Sequence, residues 1–305
     1  MPGHSVLFSA DLHGSKQQYQ QLVEFALSNP IDSVVIGGDI CPKTFLPEDK
    51  ERFIYLQGSF LDTILPALLS PLKERGIETY LIMGNDDAKI NLPILHKRSR
   101  GIYHVIHSRR RRLTPDFEIV GYPYVSITPF GIKDWEKYEF SEIPDYCRNE
   151  LAKRKLAEYR LKGVKSSHEG WEPFLFKEGM AKYESIQKDL NRHVYVKSPR
   201  NTVYVMHAPP THTHLDQVAR GHVGSLAIRD FIEENQPYLT LHGHIHETVK
   251  LSGSFMEKLK GTTSIAAGNL EGDGLSMIVL DLYDPRKAER VVIPHREGTK
   301  TFLEQ

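Results

Sequence analysis

Five short motifs along the chain carry side chains that bind metals: Asp11-Leu12-His13, Gly37-Gly38-Asp39, Gly84-Asn85-Asp86-Asp87, His207-Ala208-Pro209 and Gly243-His244-Ile245-His246. Asp11, His13, Asp39, Asn85, His207, His244 and His246 together offer two carboxylates, one amide oxygen and four imidazoles. A divalent ion of the zinc, iron or manganese type takes about four to six such donors and keeps a position open for catalysis. Seven donors are too many for one ion and suit two, with Asp39 as the shared bridge. Two ions about 3.5–4 Å apart clamp the attacking and leaving oxygens of an in-line displacement and lower the pKa of a water between them. Two carboxylates facing two dications leave such a site positive, so it attracts an anion, and a phosphate ester meets that requirement. The expected reaction is hydrolysis of a phosphodiester or an activated monoester by a hydroxide bridging the ions, with His207 helping to neutralise the phosphoryl oxygens.

These donors need a rigid frame. Apolar, β-branched runs that read as strands precede the motifs: Ser5–Ala10, Ser33–Ile36, Glu78–Met83, Thr202–Met206 and Tyr238–His242. Loops at strand ends are where α/β scaffolds carry their chemistry. The i, i+2 spacing of Asp11 with His13, and of His244 with His246, puts each pair on one face if the backbone is extended, with Leu12 and Ile245 turned to the core. Glycines before Asp39, Asn85 and His244 allow tight turns. Leu22, Phe25, Ala26 and Asn29 fall on one helical face, as do Leu61, Ile64, Leu65 and Leu68. Later strands are predicted at Tyr103–His107, Glu118–Tyr122, Thr262–Ala267, Ser276–Tyr283 and Arg290–Ile293. The expected fold is α/β, with two mixed sheets packed as a sandwich and flanked by helices.

Residues 1–305 read as one domain with a mostly helical insertion at about 126–200. Within it, Asp134–Trp135–Glu136 and Tyr138–Glu139–Phe140 form an aromatic, acidic loop. Pro144 through Leu161 is predicted helical with Gly163 as its stop. A second helix is predicted from Trp171 to Asn191, with Phe176, Met180, Tyr183, Ile186 and Leu190 along one stripe. The insertion is either a packing element or a lid over the site.

The ordered set of motifs resembles that of the calcineurin-like metallophosphoesterase superfamily: D-x-H, G-D, G-N-H-[DE], H and G-H-x-H. The resemblance spans Val6 to Glu247 and leaves out the insertion. It implies that Asp11, His13, Asp39 and His246 hold one metal, and that Asp39, Asn85, His207 and His244 hold the other. Gly224-Ser225 within Gly221–Arg229, followed by the G-H-I-H-E run, is most similar to the bacterial branch related to cyclic-nucleotide phosphodiesterases. The third motif departs from the pattern: the family's leaving-group histidine is replaced by Asp86. Three readings follow. A protonated Asp86 acts as the acid; His212, His214 or His222 stands in as acid or substrate contact; or the leaving group needs no acid. Asp87 is expected to orient a metal-bound histidine from outside the ligand shell.

Lys plus Arg and Asp plus Glu each number 39, so no net field draws the protein to nucleic acid or anionic lipid. A nuclease using Arg109–Arg112 is therefore a second reading, set against a solvated hairpin tip. A third is a non-catalytic metal-binding scaffold, although every ligand position holds a competent donor. His242 reads as a buried, hydrogen-bonded core histidine, and Cys41 as a small packing residue. Two cysteines, Cys41 and Cys147, the lack of a leader pattern and the lack of an apolar run of membrane-spanning length point to a cytoplasmic protein without a membrane partner. A small phosphate ester is the expected substrate.

Overall fold

The computed structural model describes residues 3–43, 50–145, 158–192, 194–270 and 274–294. Its first sheet has six strands in the order Glu289–Ile293, Leu275–Asp281, Ser5–Ser9, Ser33–Gly37, Glu78–Ile82 and His104–Val105. The last four run parallel, and the first two are antiparallel additions. The second sheet runs Met256–Leu259, Thr262–Ala266, Leu239–His242, Thr202–Met206, Glu118–Tyr122 and Arg111–Arg112, with its four central strands parallel and an antiparallel strand at each edge.

Strand alternation sorts the core into layers. Val6 and Phe8 point to the second sheet and meet Val35, Ile82, Val203, Val205, Leu241 and Ile265 between the sheets. Leu7, Val34, Ile36 and Leu81 point the other way, onto Tyr19, Leu22, Leu65 and Leu69 of the outer helices. On the far side, Tyr204 and Met206 pack on Leu226, Phe231 and Ile232 of helix Leu226–Asn235. Because both faces of each central strand are covered, these strands read as continuous apolar runs. The result is the predicted sandwich of two mixed sheets with helices on both sides. The predicted strand Tyr103–His107 shortens to His104–Val105, because the next residues leave for the second sheet: the Gly121 amide donates to Ile106 O and the Ser108 amide to Gly121 O.

The helices carry local start signals. The Ser15 hydroxyl accepts the Gln18 amide ahead of helix Lys16–Ser28, and the Ser225 hydroxyl accepts the Ile228 amide. Residues 50–74 form one long helix with a wide π turn at Phe60–Ile64, just before Pro66. Proline lacks the amide that would bond four residues back, and its ring crowds that carbonyl, so the widened turn relieves the clash. The segment Arg52–Glu74 is, by length and composition alone, long and apolar enough to cross a membrane, contrary to the sequence expectation. Phe60, Leu61, Leu65, Leu69 and Leu72 are nonetheless buried in the core here.

The insertion differs from its prediction. Where a helix was expected from Trp171 to Asn191, Lys162–Ser167 and Gly170–Leu175 form an antiparallel hairpin, and only Ile186–Arg192 is α-helical. Gly163, expected to stop a helix, lies inside the first of these strands. Pro173 is tolerated because both strands of an isolated hairpin are edges. The apolar stripe also breaks: Phe176, Ile186 and Leu190 are buried, but Tyr183 is 83% exposed. Of the predicted helix Pro144–Leu161, the turn Glu158–Leu161 is helical. Residues 146–157, with Cys147, lie outside the described residues.

Asp134 anchors this insertion. Its carboxylate accepts the Lys89 amide (2.8 Å), the Ser166 amide (2.9 Å) and the Ser166 hydroxyl (2.5 Å), tying the hairpin to the loop after Glu78–Ile82. Asp134→Ala is expected to destabilise the protein by about 2 kcal/mol and to speed proteolysis within 162–175, measured by denaturant unfolding and limited digestion.

Candidate metal centre

All five motifs lie at the carboxyl ends of parallel strands, and the two sheets bring those ends to one rim. Asp11 follows Ser5–Ser9, Asp39 follows Ser33–Gly37, and Asn85 follows Glu78–Ile82; His207 and His244 follow Thr202–Met206 and Leu239–His242. Backbone bonds zip the loops together: the Asp11 amide donates to Gly38 O, the His13 amide to Asp39 O, and the Gly243 amide to His207 O.

The backbone at the donors is not extended. Asp11, His13, Asp39 and His244 all adopt positive φ, from 44° to 69°. This left-handed region costs non-glycine residues energy and collects at functional sites. The extended i, i+2 geometry expected from the spacing is thus replaced by tight turns. Leu12 and Ile245 are buried as expected. Close approach accounts for two glycines. A Cβ at Gly84 would lie 2.3 Å from Asp39 Oδ1 and 2.6 Å from His207 Nε2, and one at Gly38 would lie 2.3 Å from His207 Nδ1.

Asp11, His13, Asp39 and His246 place one ligand atom each within 4.8 Å of one another. His13 Nε2 lies 3.3 Å from His246 Nε2 and 4.0 Å from Asp39 Oδ2, and His246 Nε2 lies 3.7 Å from Asp11 Oδ1. The other donors join at Asp39. His207 Nε2 lies 3.4 Å from Asp39 Oδ2 and 3.1 Å from Asn85 Oδ1, and the His244 ring centre lies 5.3 Å from that of His207. The structure therefore brings all seven predicted ligands to one place.

The electrostatics fit a cation. Burial holds His13 and His244 down to about 3, so both are neutral and present lone pairs. Burial raises Asp11. Burial would also raise Asp39, but the charge and hydrogen bond of His207 keep it well below the usual carboxylate range. The reciprocal attraction of Asp39 and Asp11 overcomes burial and raises His207. His207 Nδ1 bonds Gly37 O (2.8 Å), which aims Nε2 at Asn85 and Asp39. His13 Nδ1 is buried without a hydrogen-bond partner, with Asp86 Oδ2 3.8 Å away. Neutral His13 and His244 beside two carboxylates suit a divalent ion of the zinc, iron or manganese type.

The remaining predicted residues fall into two groups. Asp86 lies on the rim of the cluster: its amide donates to Asp39 Oδ1 (2.8 Å), and its Oδ1 accepts from Asn85 Nδ2 (2.9 Å). Burial, then repulsion from Asp39, push its carboxyl up to about 8, while Lys43 pulls the other way. His212, His214 and His222 gather on the loop after His207. His222 bonds Asp216 (2.7 Å), His212 stacks on His222 with ring centres 5.2 Å apart, and the exposed His214 pairs with Glu257 (3.0 Å). His242 is buried against Met206 O, Ala208 O and Thr240, as expected of a core histidine. Cys41 is buried in the core, also as expected.

The expectation for Asp87 is corrected. It contacts backbone instead of orienting a histidine, accepting the amides of Ile40 (3.0 Å), Cys41 (2.8 Å) and Gly84 (2.8 Å). It thereby ties the Asp39 loop to the Asn85 loop. Sequence reading missed Gln57, whose amide donates to Pro42 O and Asp86 O and accepts from Ala88 N. It also missed Asn269, which donates to Ala10 O and Asp11 O. Neither sits in a motif. Lys43, four residues after Asp39, carried a usable signal, since it is a cation beside a donor motif.

The two-sheet scaffold gathers carboxylates and imidazoles at its carboxyl rim into a group that could hold a metal ion. The chain belongs to the calcineurin-like phosphoesterase family, whose model matches residues 4–248. Solved structures share the fold. One matches with TM-score 0.62 and 17% identity, covering 95% of this chain and 99% of that one. TT1561 of Thermus thermophilus matches at 0.55 and 15%, with the same coverage. A dimetal phosphatase from Danio rerio matches at 0.50 and 13%, covering 96% and 99%. No curated protein matches the chain.

Asp87→Ala strands three backbone amides between two ligand loops. It is expected to cost about 3 kcal/mol in denaturant unfolding and to weaken metal binding in parallel, measured by calorimetric titration.

Proposed function

We propose that the chain is a phosphoesterase that uses two divalent cations of the manganese, iron or zinc class to hydrolyse small phosphodiesters or activated monoesters. The observation that carries this reading is the position of Asp39. Its Oδ2 lies 4.0 Å from His13 Nε2 and 3.4 Å from His207 Nε2, so one carboxylate is within reach of both groups of donors. Asp11, His13, Asp39 and His246 would hold one cation; Asp39, Asn85, His207 and His244 would hold the second. Bound there, the cations would supply Lewis-acid charge and an activated water.

Asp86 narrows the substrate. Its carboxyl is pushed up to about 8 by burial and by Asp39, and cations seated beside Asp39 would favour the carboxylate and draw that value down. An ionised Asp86 repels a dianionic monoester and cannot donate a proton. Esters of lower charge, or with leaving groups that depart unprotonated, suit such a site. Asp86 fills the rim beside His13, whereas the nearby histidines are tied to Asp216 and Glu257. The exposed run Arg109–Arg112 favours a small substrate over a nucleic-acid strand. Arg112 pairs with Glu118 at the start of Glu118–Tyr122, the strand end away from the donors.

Asp39→Ala is expected to remove both ions and to lower phosphoesterase activity at least about a hundredfold, read by metal analysis and an ester panel. One ion kept at full occupancy would contradict the bridge. Asp86→His is expected to raise the rate on alkyl monoesters about tenfold or more while changing activated diesters little. Equal rates for parent and variant on monoesters would remove the argument from Asp86.

A further inference from the structure

Asp86 reaches three of the candidate donors at once. Its backbone amide donates to Asp39 Oδ1 at 2.8 Å, and its Oδ1 accepts from Asn85 Nδ2 at 2.9 Å. Its second carboxylate oxygen, Oδ2, lies 3.8 Å from His13 Nδ1. Behind the residue, Gln57 Nε2 donates to Asp86 O at 2.8 Å, so the main chain is gripped from two directions.

The two nitrogens of His13 have different surroundings. Nε2 faces the donor cluster, 3.3 Å from His246 Nε2 and 4.0 Å from Asp39 Oδ2. An imidazole that ligates through Nε2 carries its proton on Nδ1, which must then donate. That Nδ1 is buried and has no hydrogen-bond partner among the described residues. A buried donor left unmatched is costly, and ligating imidazoles almost always give their second nitrogen to a carboxylate, a carbonyl or a water. Asp86 Oδ2 stands roughly 1 Å beyond hydrogen-bond length from it, a distance that a small side-chain rotation closes.

Asn85 follows the same logic. Its Nδ2 is committed to Asp86 Oδ1, which turns its own Oδ1 toward His207 Nε2 at 3.1 Å, among the donors. The opposite orientation would present an amide nitrogen, which has no lone pair to offer a cation.

We propose that Asp86 is a positioning residue for both halves of the metal centre: its carboxylate accepts from His13 Nδ1 and Asn85 Nδ2, and so aims His13 Nε2 and Asn85 Oδ1 into the donor cluster. The proposal rests on the two-cation reading and deepens it. An aspartate suits the task because it offers two acceptor oxygens, whereas the histidine of the calcineurin-like pattern would offer one acceptor nitrogen at most.

The test is calorimetric titration of the metal-free protein with zinc, together with NMR of the zinc-loaded, histidine-labelled protein. The parent is expected to show an exchange-protected His13 Nδ1–H resonance. Asp86→Ala is expected to weaken both zinc affinities about 10- to 100-fold and to abolish that resonance. Asp86→Asn, with one acceptor oxygen in place of two, is expected to weaken at least one affinity about tenfold. A defect of folding alone would shift the thermal transition of the metal-free protein, and Asp86→Asn decides the matter if Asp86→Ala does not fold. Affinities within about twofold of the parent in the folded variants, or a protected resonance that persists in Asp86→Ala, would overturn the role. If the parent binds two ions and the variants bind them equally well, the role of Asp86 fails and the metal reading stands. If the parent binds no zinc, the metal reading fails and this role with it.

Discussion

The buried carboxylate of Asp39 is the constraint on which the site depends. A carboxylate taken out of water must be surrounded by donors or cations, and here every approach is supplied by a different loop. The Asp86 amide and the His13 and His207 rings converge on it from three loops. Its backbone is held left-handed at φ 49°. None of these groups is adjacent to it in sequence, so the pocket forms only when both sheets are packed together. His207 keeps Asp39 ionised by its charge and hydrogen bond, and burial together with the Asp39 charge raises the neighbouring Asp86. One buried carboxylate thus sets the charge state of its neighbours across the cluster.

The strain at Asp11, His13, Asp39 and His244 is carried by surroundings that leave those turns little choice. Asp87, Gln57 and Asn269 sit behind the ligand loops and bond almost entirely to backbone, fixing loop positions without touching the donor atoms. A site held by side chains that grip main chain resists the small displacements that weaken metal binding. The insertion adds to this frame through Trp135, which donates to Asp87 O, and Asp134, which accepts the Lys89 amide.

Much of the site was readable because donor type and local spacing are written in sequence. Strand runs end where the motifs begin, and their apolar character is strong because both faces are buried. The insertion was not readable in the same way. The spacing of Phe176, Met180, Tyr183, Ile186 and Leu190 imitates a helix, but tertiary contacts decide: Asp134 captures Ser166 and the chain folds into a hairpin. Asp87 misled for a related reason. A carboxylate beside a ligand can serve a histidine or the backbone equally well, and only the approach of Ile40, Cys41 and Gly84 settles which.

The amino-acid sequence by itself pointed to seven candidate donors, the strands that carry them and the family, because side-chain chemistry and strand periodicity are local properties. Tertiary structure alone decided that four donor residues bend through left-handed turns. It also decided that Asn269 holds Asp11 across 258 positions of chain. These depend on which distant segments meet, and that is set by the packing of the whole sandwich, not by any stretch of residues within it.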